Sequence, residues 1–290
     1  MSRLKLQVFA LVLSAFFVGK ADAFLFTKVP KLKKSHLVLG EASTQALNPD
    51  SIKVLVWNIY KGKNDGFYED FTHYGSDRDI LMIQEVVNKK PVMDAIDHFT
   101  DFRFDIGISF RYRFKKHIYS GTMIGSHVKP SYTKISRSRD REPVVNTPKV
   151  LTIGSYPIEG HKDLLIINIH GMNVTSNKAF YRQVDDAIRA MSGHRGPIIF
   201  AGDFNTNRKA RLRYLERNLV ERLGFTDMQF RNDKRMRSAF TKLIIDFTFT
   251  RGLRVIDSEV LGELKSSDHK AMYFEVAVET DKNSRDLASK

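Results

Sequence analysis

The sequence predicts an α/β protein in which two β-sheets pack face to face and are flanked by helices, as a single domain. Three observations predict it. About nine runs are rich in β-branched and aromatic residues and bounded by turn formers, the pattern of strands. Two longer segments carry apolar residues at helical spacing. No Gly/Ser linker and no internal repeat divides the 290 residues.

The amino-terminal run "LQVFALVLSAFFVG" follows Arg3 and Lys5 and ends at "KADA", the layout of a secretory signal peptide cleaved after Ala23. The run is short for a bilayer span, and a retained anchor is the alternative. Export to the periplasm or medium is expected, with no stable membrane insertion after cleavage. Residues 24–50, with "KVPKLKKSH" and "GEASTQALNPDS", read as a leader. The domain is expected over residues 51–279, and 280–290 as a disordered tail.

Within the domain, strands are expected at residues 52–60, 79–86, 119–128, 149–158, 164–171, 197–204, 243–250, 253–261 and 270–278. A helix is expected over 176–193, with Ser176 as N-cap, Phe180, Val184, Ala187, Ile188 and Met191 on one face, and Gly193 after its end. A second is expected over 209–225, where Leu212, Leu215, Leu219 and Leu223 form a core stripe.

The balance of 47 Lys+Arg against 33 Asp+Glu gives +14. The signal segment removes Arg3, Lys5 and Lys20 with Asp22, so the basic surplus persists after cleavage. Such a surplus suits a polyanionic partner, nucleic acid or an anionic membrane surface. Cysteine is absent, which excludes disulfides, thiolate metal sites and a cysteine nucleophile.

Polar residues gather at the strands' ends. In "IIFAGDFNTN", Asp203 and Asn205 project to one side while Phe204 turns back to pack, because alternate strand residues share a face. Asn58 follows "VLVW", Glu85 follows "LMIQ", and His170 follows "IINI" with Asn173 three residues on. Asp246 sits inside "LIIDFTF", and Asp268 and His269 precede "AMYFEV". Each alone has an ordinary structural explanation; their recurrence beside apolar strands does not. Carboxylates and amides are hard oxygen ligands of the kind Mg²⁺ or Mn²⁺ takes. Histidines that move protons complete a metal-assisted phosphate ester hydrolysis. The zinc pattern HExxH and a Walker phosphate loop are absent.

In order, "WNIYKG", "IQEV", "NIHGMN", "GDFNTN", "IIDFTFTRG" and "SSDHKAMYFEV" resemble the endonuclease/exonuclease/phosphatase superfamily over about residues 52–278. The likeness is strongest to small, little-characterised bacterial members that share "LVWNIYK" and "REP". It implies a four-layered α/β/β/α sandwich of two mixed sheets flanked by helices, with the active site at one edge of the sheets. It also implies one divalent ion, Mg²⁺ or Mn²⁺, held by Glu85 with Asn58 and Asp268. His269 would be the general base, polarised by Asp246. Asp203 and Asn205 would orient the water and the phosphate, and His170 would hydrogen-bond a phosphoryl oxygen. "RDREPVV" resembles a deoxyribonuclease stretch whose arginine touches phosphate, which marks Arg141, with Asn173 as a further phosphate contact. Tyr112, His117 and Tyr119 lie in the region where relatives keep a tyrosine, and none falls into place.

The expected activity is a nuclease acting as a monomer, on DNA in preference to RNA. Basic and aromatic residues interleave in "FRYRFKKHIY" (110–119), "RKARLRY" (208–214) and "RNDKRMR" (231–237), which suits phosphates and splayed bases. Hydrolysis of a phospholipid headgroup or inositol phosphate is the second reading, and a catalytically silent phosphate-binding protein the third.

Overall fold

A computed structural model describes residues 27–143 and 145–279. The expected signal peptide and the expected tail at 280–290 lie outside the described residues. The first sheet takes β1 (Thr27–Lys28), β2 (His36–Leu39), β3 (Ile52–Asn58), β4 (Ile80–Val87), β5 (Arg103–Tyr112) and β6 (Tyr119–Ser126). The chain crosses to the second sheet with β7 (Tyr132–Arg137), β8 (Val150–Tyr156), β9 (Leu164–His170), β10 (Ile198–Asp203), β11 (Thr226–Asp227) and β12 (Asp246–Arg251), then returns with β13 (Leu253–Leu261) and β14 (Ala271–Val278). The strand orders are β1-β5-β6-β4-β3-β14-β13, with β2 also on β5, and β11-β12-β10-β9-β8-β7. The helices are α1 (Phe67–Gly75), α2 (Lys90–Asp97), α3 (Asn177–Met191) and α4 (Lys209–Leu215).

Alternation along the strands builds the four layers. Val54, Val56 and Met82 face inward and meet Ile166, Ile199 and Ala201 between the sheets. Their neighbours Leu55, Trp57, Leu81 and Ile83 face outward under Phe67 and Phe71 of α1 and Val92 and Ile96 of α2. On the other side Leu165, Ile167, Ile198 and Phe200 lie beneath Phe180 and Val184 of α3 and Leu215 of α4. The result is the expected α/β/β/α sandwich. Among the described residues, no helix is long and apolar enough to cross a membrane.

Several elements differ from expectation. Residues 27–39 are not a separate leader, because β1 and β2 both pair antiparallel with β5. β5 itself was not expected, since Asp105 and Gly107 break its apolar pattern. The Asp105 carboxylate is buried yet accepts from His36 Nε2 at 2.7 Å and from Arg103 Nε at 2.9 Å. β7 is a polar edge strand, and α1 and α2 are short. The helix from 209 continues past α4 as a π-type turn over Glu216–Glu221, still burying Leu215 and Leu219. In α3, Ser176 caps as expected: its hydroxyl accepts from the Ala179 N–H at 3.2 Å.

β3 and β4 run parallel, as do β9 and β10. Their carboxyl ends emerge at one end of the sandwich, where both sheets contribute polar side chains.

Candidate active site

Strand register places the core of the site. His170 on β9 lies level with Asp203 on β10, and Asp203 level with Asp246 on β12. The three side chains form a row across the second sheet. Close approach is needed here: a Cβ on Gly202, at φ +136°, would run into the Ile169 carbonyl. Phe204 turns outward into the core beneath α3, as the alternation predicts. From the first sheet, Asn58 Nδ2 spans the gap and donates to Asp203 Oδ2 at 3.2 Å. Glu85 owes its position to a bulge. The β4–β6 register breaks between Ile83 and Val86, and Glu85 takes φ +58°. Two residues then separate the outward-facing Ile83 and Val86 where alternation allows one, which re-aims Glu85 into the site.

On one side stands the His269–Asp246 pair. Nδ1 lies 3.1 and 2.9 Å from the two Asp246 oxygens. The His269 N–H donates to Ser267 Oγ at 3.2 Å, that hydroxyl donates to the Asn58 carbonyl at 2.6 Å, and Trp57 Nε1 donates to the His269 carbonyl at 3.1 Å. Asp246 thus holds the imidazole while Ser267 and Trp57 hold the His269 backbone, and Nε2 lies 4.0 Å from Asp203 Oδ2. Burial disfavours its charge, but Asp246 and then Asp203 prevail and raise His269 to about 10. Burial lifts Asp203 to about 7, with His269 opposing and Asp246 reinforcing the rise. Asn205 braces that carboxylate: its backbone N–H donates to Oδ1 at 2.8 Å and its Nδ2 to Oδ2 at 3.1 Å.

On the other side stands Glu85. His170 Nε2 is 4.0 Å from Oε1, and Lys61 Nζ is 3.4 Å from Oε2. Burial alone would raise the Glu85 carboxyl, yet the cationic neighbours, Lys61 foremost, hold it at about 2. Lys149 Nζ lies 3.1 Å from His170 Nε2 and 3.4 Å from Glu142 Oε1. Burial, then the Lys149 charge, pushes His170 well below the usual imidazole range. His170 is therefore neutral and its Nε2 accepts from Lys149. That differs from its expected role as a donor to phosphate; the ammonium of Lys149 offers the donor instead.

Eight of the expected residues gather here in different ways. Asn58, Glu85, His170, Asp203, Asn205, Asp246 and His269 form one connected set. Asp268 is exposed beside it, its carboxylate 3.4 Å from Ser267 Oγ; among the described residues no hydrogen bond joins it to Glu85 or Asn58. Asn173 and Arg141 stand further out. Asn173 accepts from Asn207 Nδ2 at 3.2 Å, and its N–H donates to Glu142 Oε1 at 2.8 Å. Arg141 is exposed, while its neighbours Asp140 and Glu142 are taken by Arg182 and Lys149. Tyr119 is buried in the outer core of the first sheet. Sequence reasoning missed Lys61 and Lys149. Lys61 lies inside the quoted "WNIYKG", but nothing in the sequence marks Lys149.

The donor set fits a divalent cation at Glu85. Its Oε2 is shielded from solvent and, among the described residues, has no partner but the Lys61 ammonium at 3.4 Å, so lone pairs of this anionic carboxylate remain for a hard cation. Asp203, Asp246 and His269 also lie close enough to share an ion. There Asp246 and Asp203 hold a proton on the His269 ring, so proton transfer suits that trio better than metal binding.

The family model described as the Endonuclease/Exonuclease/phosphatase family matches residues 55–269, from β3 to the site histidine. The chain belongs to that family. A UPF0294 protein of Yersinia pseudotuberculosis is 30% identical over 268 residues, 90% of this chain and 95% of its own. Among solved structures, an endonuclease/exonuclease/phosphatase family protein from Leptotrichia buccalis superposes with a TM-score of 0.60 at 18% identity, over 79% of this chain and all (100%) of its own. A mannosyl-6-phosphatase of Bacteroides thetaiotaomicron gives 0.57 at 15% identity, over 78% of this chain and 99% of its own. Members of the endonuclease/exonuclease/phosphatase family are phosphoric ester hydrolases, generally dependent on a divalent metal.

Proposed function

We propose that the chain hydrolyses phosphodiester bonds of nucleic acid, DNA in preference to RNA, with Mg²⁺ or Mn²⁺ held on Glu85. The observation that carries this reading is the alignment of His170, Asp203 and Asp246 on one sheet, facing Glu85 from the other. When bound, the cation supplies Lewis-acid stabilisation of negative charge on phosphate oxygens.

The chain's own groups divide the remaining work. Asp203, with a proton affinity near neutrality, takes the proton of the attacking water at a carboxylate oxygen. Asn205 and Asn58 fix that carboxylate by hydrogen bonds to it. His269 is the expected general base, but its raised proton affinity makes it an imidazolium at neutral pH. Its Nε2–H therefore stabilises charge on an ester oxygen and protonates that oxygen as its bond to phosphorus breaks and it leaves. Lys149 adds a second donor beside His170. The basic surplus supports a nucleic-acid substrate, and the amino-terminal apolar run supports export.

The test is a side-by-side assay of residues 24–290 on supercoiled plasmid, linear DNA, RNA, sphingomyelin, inositol phosphates and a sugar phosphate, with Mn²⁺ and with EDTA. Metal-dependent cleavage of DNA is expected. Turnover of a lipid, inositol or sugar phosphate alone would overturn the substrate assignment.

A further inference from the structure

Much of the basic surface is neutralised locally. Lys53 pairs with Asp77, Lys90 with Asp94, Arg189 with Asp186 and Arg231 with Asp257. Of the three basic-aromatic clusters, 231–237 is largely spent in this way, and 208–214 loses Arg211 to the interior. In 231–237, Lys234 meets Glu263 and Arg235 meets Asp233. In 208–214, Arg211 is buried and donates to backbone carbonyls.

The third cluster behaves differently. Pairing of β1 with β5 sets Lys28 directly opposite Arg111, and like charges opposed across a ladder destabilise it. Lys31, Lys33, Lys34 and Lys116 join them around a cavity of about 600 Å³. Val29, Pro30 and Tyr112 supply an apolar and aromatic floor, and no acidic residue lines it. Among the described residues, none of the six cations has an ion-pair partner. The volume falls in the range of small-ligand sites, about 300–1,000 Å³.

Two links run from the cavity wall and its strand towards the active site. Tyr112 lines it and lies near enough to raise the proton affinity of Lys61, the partner of Glu85. Thr27 Oγ1 donates at 3.2 Å to the Val145 carbonyl, in the loop that carries Arg141 and leads to Lys149. The stretch expected as a leader thus meets the loop that carries Arg141.

We propose that this cavity is a second phosphate subsite, which holds single-stranded nucleic acid beside the active site, with phosphates on the lysines and a base against Tyr112. A recess with an aromatic floor and a cationic rim matches the groove-plus-stacking arrangement of single-strand binding. A flat layer of lipid headgroups needs no recess. The inference rests on the nucleic-acid reading of the active site and adds to it the residues that grip the strand.

The test uses residues 24–290 with Lys31→Ala, Lys33→Ala and Lys34→Ala combined. These exposed side chains make no hydrogen bonds among the described residues, and β1–β5 pairing is left intact. Binding of a fluorescent single-stranded oligodeoxynucleotide is read by anisotropy in EDTA across a salt series. The variant should bind about tenfold or more weakly at low salt, and its slope of log Kd against log salt should flatten by about 2. Hydrolysis of bis(p-nitrophenyl) phosphate, too small to reach the cavity from the site, should be unchanged. A control removing the ion-paired Lys53 and Lys90 together with Lys162, exposed in the loop before β9, should bind like wild type. Equal weakening in both triple variants would overturn the subsite, as would lysine-dependent binding of phosphatidylglycerol vesicles with none of the oligonucleotide. Lysine-dependent strand binding without any phosphodiester cleavage would uphold the subsite and remove the catalytic reading. Cleavage of the small ester without strand binding would do the reverse.

Discussion

Gln84 Nε2 donates to Asn168 Oδ1 across 2.7 Å and joins the two sheets directly beneath the site. Both amides are buried, and Asn168 Nδ2 also donates to the Ile83 and Met123 carbonyls at 3.0 and 2.8 Å. Leucine at either position strands buried polar atoms, at a cost of about 1–3 kcal/mol for each group left unpaired. Asn168→Leu should cost more than Gln84→Leu, because two carbonyls lose their donor. The double variant should be less destabilised than the sum of the two. Urea unfolding of the four proteins measures the coupling, and strict additivity would show that the bond contributes nothing.

Glu85 is the carboxylate expected to hold the cation. Glu85→Gln keeps the shape and removes the charge. The Mn²⁺ concentration for half-maximal activity should rise at least about tenfold, with far-ultraviolet circular dichroism unchanged. An unaltered metal titration would remove Glu85 from the metal site.

The Asp203–His269–Asp246 group sets a pH profile. The Asp203 base form grows as pH rises through about 7, and the His269 imidazolium is lost as pH rises through about 10. Activity at saturating Mn²⁺ should therefore be bell-shaped between those limits. Asp246→Asn withdraws the anion that holds the proton on His269. Its alkaline limb should move down towards the ordinary imidazole value of about 6.5, with turnover reduced by about 10²–10⁴. An alkaline limb that stays in place would show that His269 does not produce it.

Arg211 is a positioning residue. It is fully buried and donates to the carbonyls of Met172 at 2.6 Å, Asn205 at 2.8 Å and Thr175 at 2.9 Å. One guanidinium thus ties the loop after β9 to the loop after β10. Arg211→Met should destabilise by about 3 kcal/mol or more, by loss of charge-assisted donors to several carbonyls. Arg211→Lys should recover part of the stability but little of the turnover, because an ammonium lacks the planar fork. Equal recovery of both would argue against a positioning role.

Asp105 governs acid stability. Burial opposes its charge, but hydrogen bonds from His36 and Arg103 hold its carboxyl below the ordinary value. A depressed carboxylate contributes stability above the unfolded value of about 3.9, lost as pH falls through the folded value. Thermal unfolding across that acid range should be less pH-dependent in Asp105→Asn, which should also be destabilised at pH 7 by about 1–3 kcal/mol. A variant with the same acid sensitivity as wild type would exclude this carboxylate.

The layers and much of the site were legible because they rest on alternation. Val54 and Leu55, or Ile199 and Phe200, reveal their opposite faces by neighbouring position alone, and Asp203 inherits its direction from Ile199. What escaped depends on partners distant in sequence. β5 is disguised by Asp105, whose charge makes sense only once His36 is beside it. The same pairing turns an apparent leader into an edge of the first sheet. Lys149 meets His170 through the β8–β9 register, which no local pattern announces. The neutral state of His170 and the protonated state of His269 follow from burial and from neighbours up to 4.0 Å away.

Because Asn58 and Glu85 belong to one sheet and His170, Asp203 and Asp246 to the other, turnover is a gauge of how the two halves of the sandwich are aligned. A sideways slip of one half by a single ångström leaves every ladder bond intact and the chain as rich in strand as before, yet parts the groups that must meet. Catalysis should therefore be an early casualty of mild denaturant, vanishing while the spectrum of the backbone still looks native.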